Sequence, residues 1–201
     1  MDVCAKREQP LLLGARLFFV LLIFSFVGWI WETVHVSMLA GKLVDRGFLF
    51  GPVCPIYGST MVIAYLLMGT PRKPKGILAF TKGKWCQYPL YALAAIALPT
   101  LVELVVGYGY EKLFNIRLWD YSHYVMTING QSFPLHVMGY IALPISLIWL
   151  VLIFVVMGFF FPALLKLTER IPPKAAKITA IVLGTIMTAD FIASCIAALL
   201  S

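Results

Sequence analysis

The chain has 201 residues, of which 61% are hydrophobic and 12% charged, and its formal net charge is +7. Soluble domains are about half apolar and a quarter charged, so a water-soluble globule of this length is excluded because its core could not hide so much apolar surface. Nucleic acid is not an expected partner either, because the placement of the basic residues answers to a different cause.

Apolar runs of spanning length recur along the chain, and roughly 20 residues cover a hydrocarbon core of about 30 Å. The predicted spans are 17–40, 48–70, 86–109, 135–161 and 178–200. Backbone groups in lipid must bond within their own segment, so continuous runs without period-2 alternation are expected to be helices rather than barrel strands. The expected fold is an all-α polytopic bundle of five spanning helices, forming a single transmembrane domain over residues 1–201. Its amino terminus is expected inside, its carboxyl terminus outside, and a structured outer loop should join the third and fourth helices.

The first run is expected to stay in the protein rather than be cleaved as a signal peptide. It is too long for a signal core and contains Trp29, Trp31 and Glu32, and Met38 stands where an Ala-x-Ala site ending at Ala40 needs a small residue. Within it, Ser25, Gly28, Glu32 and His35 recur at helical spacing as a small and polar stripe. The second run opens on Asp45-Arg46-Gly47-Phe48-Leu49-Phe50-Gly51-Pro52-Val53-Cys54-Pro55-Ile56-Tyr57-Gly58, whose prolines and glycines oppose an ordinary helix. Irregular backbone at membrane depth is tolerated only beside protein or a wet cavity. On the third run, Pro99, Glu103 and Gly107 form a similar stripe, and the fifth carries Asp190 with Ser194. The loop after the third run contains Trp119-Asp120-Tyr121-Ser122-His123 and then Asn129-Gly130 between strand-forming residues, a two-residue hairpin signal. Trp119 and Tyr121 suit the headgroup interface; the plainer reading of the loop is a solvated connection with interfacial aromatics.

Lysine and arginine alternate along the chain. The amino-terminal tail with the second and fourth loops carries twelve, against four in the first and third loops and the carboxyl-terminal end. That asymmetry is the positive-inside pattern, with a secondary attraction to anionic lipid. Four cysteines, Cys4, Cys54, Cys86 and Cys195, lack any CxxC or metal-ligand spacing and are expected to be free thiols. No metal site or cofactor is expected.

An ionisable residue inside a span is costly enough to suggest a site. Counted along helices from the inner boundary, Glu32, Glu103 and Asp190 lie about 24, 28 and 20 Å in, all favouring the outer half. Arg46 is the expected partner for Glu32, Glu103 or Asp120. The candidate polar pocket comprises Glu32, His35, Arg46, Tyr57, Glu103, Trp119, Asp120, Tyr121, Asn129 and Asp190. The alternative is a buried ion-pair network that fixes helix register without binding anything.

Gly28-Trp29 with Glu32, the block from Asp45 to Gly58, Glu103, Glu111-Lys112-Leu113-Phe114, Trp119-Asp120-Tyr121-Ser122 and Ile128-Asn129-Gly130 resemble the bacterial ABC-transporter type IV permease family. Asp45 departs from the asparagine more usual there before Arg-Gly-Phe, and adds a carboxylate beside Arg46. The resemblance implies a transport permease in the bacterial inner membrane. Because the chain has no GxxxxGK[ST] phosphate loop, ATP hydrolysis would require a separate subunit. The expected partners are the lipid bilayer, with a separate ATPase subunit and homo-oligomerisation left open. Two other functions stay open: a membrane-embedded enzyme acting on an envelope lipid or other extracytoplasmic substrate, although no GxSxG nucleophile motif is present, and a non-catalytic scaffold. No catalytic residue is assigned.

Overall fold

The computed structural model describes the backbone of residues 2–200 and the side chains of residues 10–200. The helices are α1 (Asp2–Ala40), α2 (Pro55–Met68), α3 (Gln87–Phe114), α4 (Leu143–Val155), α5 (Phe161–Thr168) and α6 (Pro173–Leu200). A 3-10 turn, Gly76–Thr81, separates α2 from α3, and a π segment, Val156–Phe160, joins α4 to α5. That widened turn ends two residues before Pro162, which has no amide N–H for an ordinary α-helical bond.

Four stretches among the described residues are long and apolar enough to cross a membrane: Pro10–Ala40, Gln87–Phe114, Leu143–Thr168 and Pro173–Leu200. The protein is therefore an all-α, multi-span membrane helix bundle. The predicted span 48–70 contains a helix of only 14 residues, α2. Its first part is irregular because Gly47 takes a φ of 128° and Pro52 and Pro55 supply no amide donors. The predicted span 135–161 also begins later than expected. Two short antiparallel strands, β3 (His136–Val137) and β4 (Ile141–Ala142), fill its start, with Met138 and Gly139 at positive φ between them. Left-handed backbone at two successive residues makes a hairpin turn and excludes a helix there.

The chain divides into two compact units: residues 1–62 with 160–201, and residues 63–159. In the first, α1 packs against α5 and α6. The close approach of α2 to α1 depends on glycine. A Cβ on Gly58 would meet the Leu21 carbonyl oxygen and the buried Ser25 hydroxyl, and one on Gly28 would meet the Tyr57 ring. Small residues of this kind let membrane helices approach backbone to backbone, where dispersion replaces the missing hydrophobic drive.

In the second unit, α3 buries Gln87, Tyr91, Ala95, Pro99, Glu103 and Gly107, one residue every fourth position. The α3 helix packs against α4, where Ser146 accepts a hydrogen bond from Thr100 Oγ1 at 2.8 Å. The α3 helix ends at Asn115, whose left-handed φ of 55° accompanies an amide bond back to Glu111. Beyond it, β1 (Val125–Ile128) and β2 (Gln131–Pro134) pair antiparallel through Asn129 and Gly130, both at positive φ. This is the two-residue hairpin that the Asn-Gly pair announces.

Gly58→Ala is expected to overpack the α1–α2 contact at a cost of about 1–3 kcal/mol. The purified protein should lose roughly 3–10 °C of melting temperature. Gly14→Ala, at a helical position where an added Cβ meets nothing within 4 Å, should leave the melting temperature unchanged or slightly raised.

Candidate functional site

The candidate residues fall into two clusters, one in each unit. In the first unit, α1 supplies Glu32 from the small and polar stripe it shares with Ser25, Gly28 and His35, about two turns before the helix ends. Arg46 Nε lies 3.5 Å from Glu32 Oε2, and the Tyr57 hydroxyl donates to Glu32 Oε1 at 2.8 Å. The Arg46 and Glu32 side chains remain 31% and 27% exposed, so the pair is partly accessible rather than sealed. Of the carboxylates expected to meet Arg46, Glu32 is the one within its own unit that does so. Asp45 accepts a bond from the Trp29 indole at 2.9 Å. His35 is exposed, and its ring stacks on Trp31 at 6.0 Å between centroids.

The irregular strap that carries Arg46, residues 41–54, forms no ladder and is held largely by side chains. The Val44 amide donates to Ser37 Oγ at 2.9 Å and the Arg46 amide to Thr33 Oγ1 at 3.3 Å. Asp190, from α6, takes the Phe50 amide on Oδ1 at 3.0 Å and the Gly51 amide on Oδ2 at 2.9 Å. A Cβ on Gly51 would lie 2.9 Å from Asp190 Oδ2, too close to be tolerated without a shift. The Cys54 amide closes the strap on the Ser25 carbonyl at 3.0 Å. Asp190 therefore acts as an anchor for backbone, with both carboxylate oxygens engaged.

Thr33 and Ser37 were not singled out by the sequence pattern. Their signal was present as two hydroxyl residues four apart on a spanning helix, opposite an irregular segment in need of acceptors.

The second cluster surrounds Glu103, which is 5% exposed on the α3 seam. The Tyr121 hydroxyl donates to Glu103 Oε1 at 3.2 Å, and the Tyr121 amide donates to the Gly139 carbonyl at 2.9 Å. Trp119 donates its indole proton to the Tyr140 carbonyl at 2.8 Å and lays its ring on Gly107, where an added Cβ would come within 3.1 Å. Asp120 accepts the Ser122 amide at 2.9 Å and lies 3.6 Å from Arg117 Nη2. The same guanidinium donates to the Met138 carbonyl at 2.6 Å and faces Glu111 at 3.6 Å. The Trp-Asp-Tyr-Ser stretch thus folds back onto the end of α3, with one side chain bonding inward and the next outward. Asn129 is exposed and serves the hairpin turn. Arg117, Tyr140 and Gly139, central to this cluster, went unmarked in the sequence because nothing local shows that they meet.

Among the described side chains, Cys54, Cys86 and Cys195 are free thiols. The Cys4 side chain lies outside the described residues.

A family model described as Putative ABC-transporter type IV matches residues 18–195. The chain belongs to that family. Membership makes it a membrane-embedded, multi-spanning, permease-like component of an ABC-type transport system in the bacterial inner membrane. The type IV family match covers both clusters and most of each spanning stretch among the described residues. No curated protein and no solved structure matches the chain.

Asp190→Ala should leave the Phe50 and Gly51 amides without their acceptor, at about 1–3 kcal/mol for each group that stays dry. Limited proteolysis within 41–54 should accelerate markedly, whereas Asp190→Asn, which keeps one carbonyl acceptor, should fall between that variant and the parent. A pH effect is expected in the other unit. The Ser122 amide, foremost, and its hydroxyl hold the exposed Asp120 carboxyl below the ordinary aspartate range. A depressed folded value means that the loop's gain is present at neutral pH and is lost as pH falls below about 4. Hydrogen exchange at the Ser122 amide should quicken over that interval and be insensitive to pH, once intrinsic rates are corrected, in Asp120→Asn.

Proposed function

We propose that Glu32, Arg46 and Tyr57 form the solute-recognition site of this permease component, on the side of the bilayer facing away from the cytoplasm. The observation that carries the reading is the half-open ion pair: the Arg46 and Glu32 side chains keep 31% and 27% of their surface accessible, while the Arg46 Nε that faces Glu32 is buried. Closing the pair fully would desolvate both ions at a cost of several kcal/mol each, and leaving it partly open keeps the charged groups within reach of a solute. A partly open guanidinium can exchange its carboxylate neighbour for an anionic or zwitterionic group on a solute, and Tyr57 orients Glu32 for that exchange. In this reading Glu103, more deeply buried and bonded to Tyr121, positions the Trp119–Ser122 loop, and Asp190 holds the strap that presents Arg46.

The topology belonging to this proposal has five crossings, with the amino terminus inside and the carboxyl terminus outside. Helix α2, 14 residues long, rises about 21 Å, and the irregular strap before it would complete the crossing of a core about 30 Å thick. The alternation of twelve and four basic residues supports that orientation. A separate ATPase subunit, docking on the basic side, and further copies of the chain complete the transport assembly.

The test uses the full chain in lipid nanodiscs with a panel of small carboxylates, phosphates and amino acids. At least one solute should raise the melting temperature saturably, and Glu32→Gln and Arg46→Gln should each weaken its binding by roughly tenfold or more, about 1.4 kcal/mol. Retention of that solute's affinity in both variants, with their melting temperatures intact, would overturn the site. The topology is checked separately: a periplasm-dependent reporter fused after residue 201 should be active, and one inserted in 72–84 should be silent.

A further inference from the structure

We propose that the segment between α2 and α3 is a built docking platform for the anionic phospholipid headgroups of the surrounding leaflet, centred on Phe80, Lys82, Lys84 and Trp85. The segment is fixed from beneath. Gln87 donates to the Pro71 carbonyl at 2.7 Å and accepts the Gly83 amide at 2.8 Å. The Tyr91 hydroxyl bonds the Gly69 carbonyl at 3.0 Å, and the Lys75 amide bonds the Met68 carbonyl at 2.8 Å. Pro71, Pro74, Leu78 and Thr81 are buried against this support. A buried glutamine and a buried tyrosine thus pair the Pro71 and Gly69 carbonyls, which burial would otherwise leave unsatisfied, and so fix the segment.

The other face is the opposite in character. Ile77 and Phe80 project from the 3-10 turn at 57% and 60% exposure, and Trp85 is 91% exposed two residues before α3 begins. Lys82 and Lys84, both exposed, lie between Phe80 and Trp85 in the chain; Arg72 and Lys73, also exposed, precede them, with Arg72 stacked 5.7 Å from the Phe159 ring centroid, and no acidic residue occurs between Asp45 and Glu103 to neutralise these cations. The Lys84 ammonium lies 5.9 Å from the Phe80 ring centroid, so charge and apolar surface share one face. Lys75 is not part of it, because its ammonium is engaged by the Tyr65 hydroxyl at 3.0 Å and the Tyr65 ring at 4.6 Å.

The occupant follows from that combination and its position. The segment leaves one apolar helix and enters another, so its outer face meets the boundary between acyl chains and water. Tryptophan settles in that boundary. Cations beside it gain from anionic headgroups, each on the order of 1 kcal/mol near a charged surface. A soluble phosphate would use the cations but leave Ile77, Phe80 and Trp85 idle, whereas a phospholipid uses both. An acidic protein surface is the competing occupant, and the experiment separates the two.

The full chain and its Trp85→Phe variant are reconstituted in phosphatidylcholine vesicles containing brominated phosphatidylglycerol or, in parallel, brominated phosphatidylcholine. The difference in fluorescence quenching between the two proteins isolates Trp85 from the other tryptophans. At low salt the anionic lipid should be preferred at Trp85 by at least about fivefold. The preference should fall toward equality at 0.5–1 M salt, roughly where the screening length shrinks to a few ångströms. It should fall likewise in a variant combining Arg72→Gln, Lys73→Gln, Lys82→Gln and Lys84→Gln, which spares the Gln87 and Tyr91 clamps. Equal quenching by the two lipids at low salt overturns the proposal, as does quenching by neither, which would assign this face to water or a protein partner. The salt titration on the parent protein decides the matter even if the multiple variant fails to fold.

Discussion

A backbone amide removed from water must find an acceptor, and the strap of residues 41–54 is where this protein meets that demand without a helix or a sheet. Its acceptors are side chains and two carbonyls: Ser37, Thr33, the Asp190 carboxylate, the Ser25 backbone and, within the strap, the Gly51 carbonyl. An unmade bond of this kind costs about as much as several good ones contribute, so the strap can exist only in the presence of α1 and α6. Arg46 rides on it, and through Arg46 so does the ion pair with Glu32. The accessible charge pair is thus a consequence of how the irregular backbone is satisfied.

The same economy explains the glycines that the fold cannot exchange. Gly51 brings its amide within reach of Asp190 because it has no Cβ to hold the carboxylate away, and Gly58 and Gly28 let α1 and α2 touch along backbone and the Tyr57 ring. Tyr57 reaches Glu32 from that close contact. In the second unit Gly107 plays the corresponding part for Trp119, and Gly139 leaves room for Arg117 and Asp120. In each case a missing methyl group permits a hydrogen bond nearby. Membrane interiors favour this solution because helices there associate through packing and polar contacts rather than through the hydrophobic effect.

The two clusters differ in what they can do. Glu103 is almost sealed and is tied to a loop tyrosine, so its charge or proton serves the connection between α3 and the Trp-Asp-Tyr-Ser segment. The Glu32 side chain, by contrast, stays 27% exposed beside Arg46. Burial separates a positioning carboxylate from an accessible one more clearly than depth along a helix does, and depth was the quantity that sequence spacing could supply.

Amino-acid order alone determined that the solvent is lipid, that long helices carry the fold, that Asn129-Gly130 turns a hairpin, and that the glycine- and proline-rich block before Tyr57 is irregular. These follow from local chemistry: run length against bilayer thickness, positive φ at a turn, and prolines without amide protons. The motifs also carried the family resemblance, which the match over residues 18–195 established. Tertiary structure decided the pairings. That Asp190 anchors Phe50 and Gly51 across 139 or 140 residues, that Arg46 meets Glu32, and that Arg117 gathers Glu111, Asp120 and Met138 depend on which faces approach. It also decided that residues 135–142 bend into a second hairpin instead of extending the helix. Composition reads them as spanning, because apolar side chains suit lipid in either conformation, and only the backbone at Met138 and Gly139 separates the two.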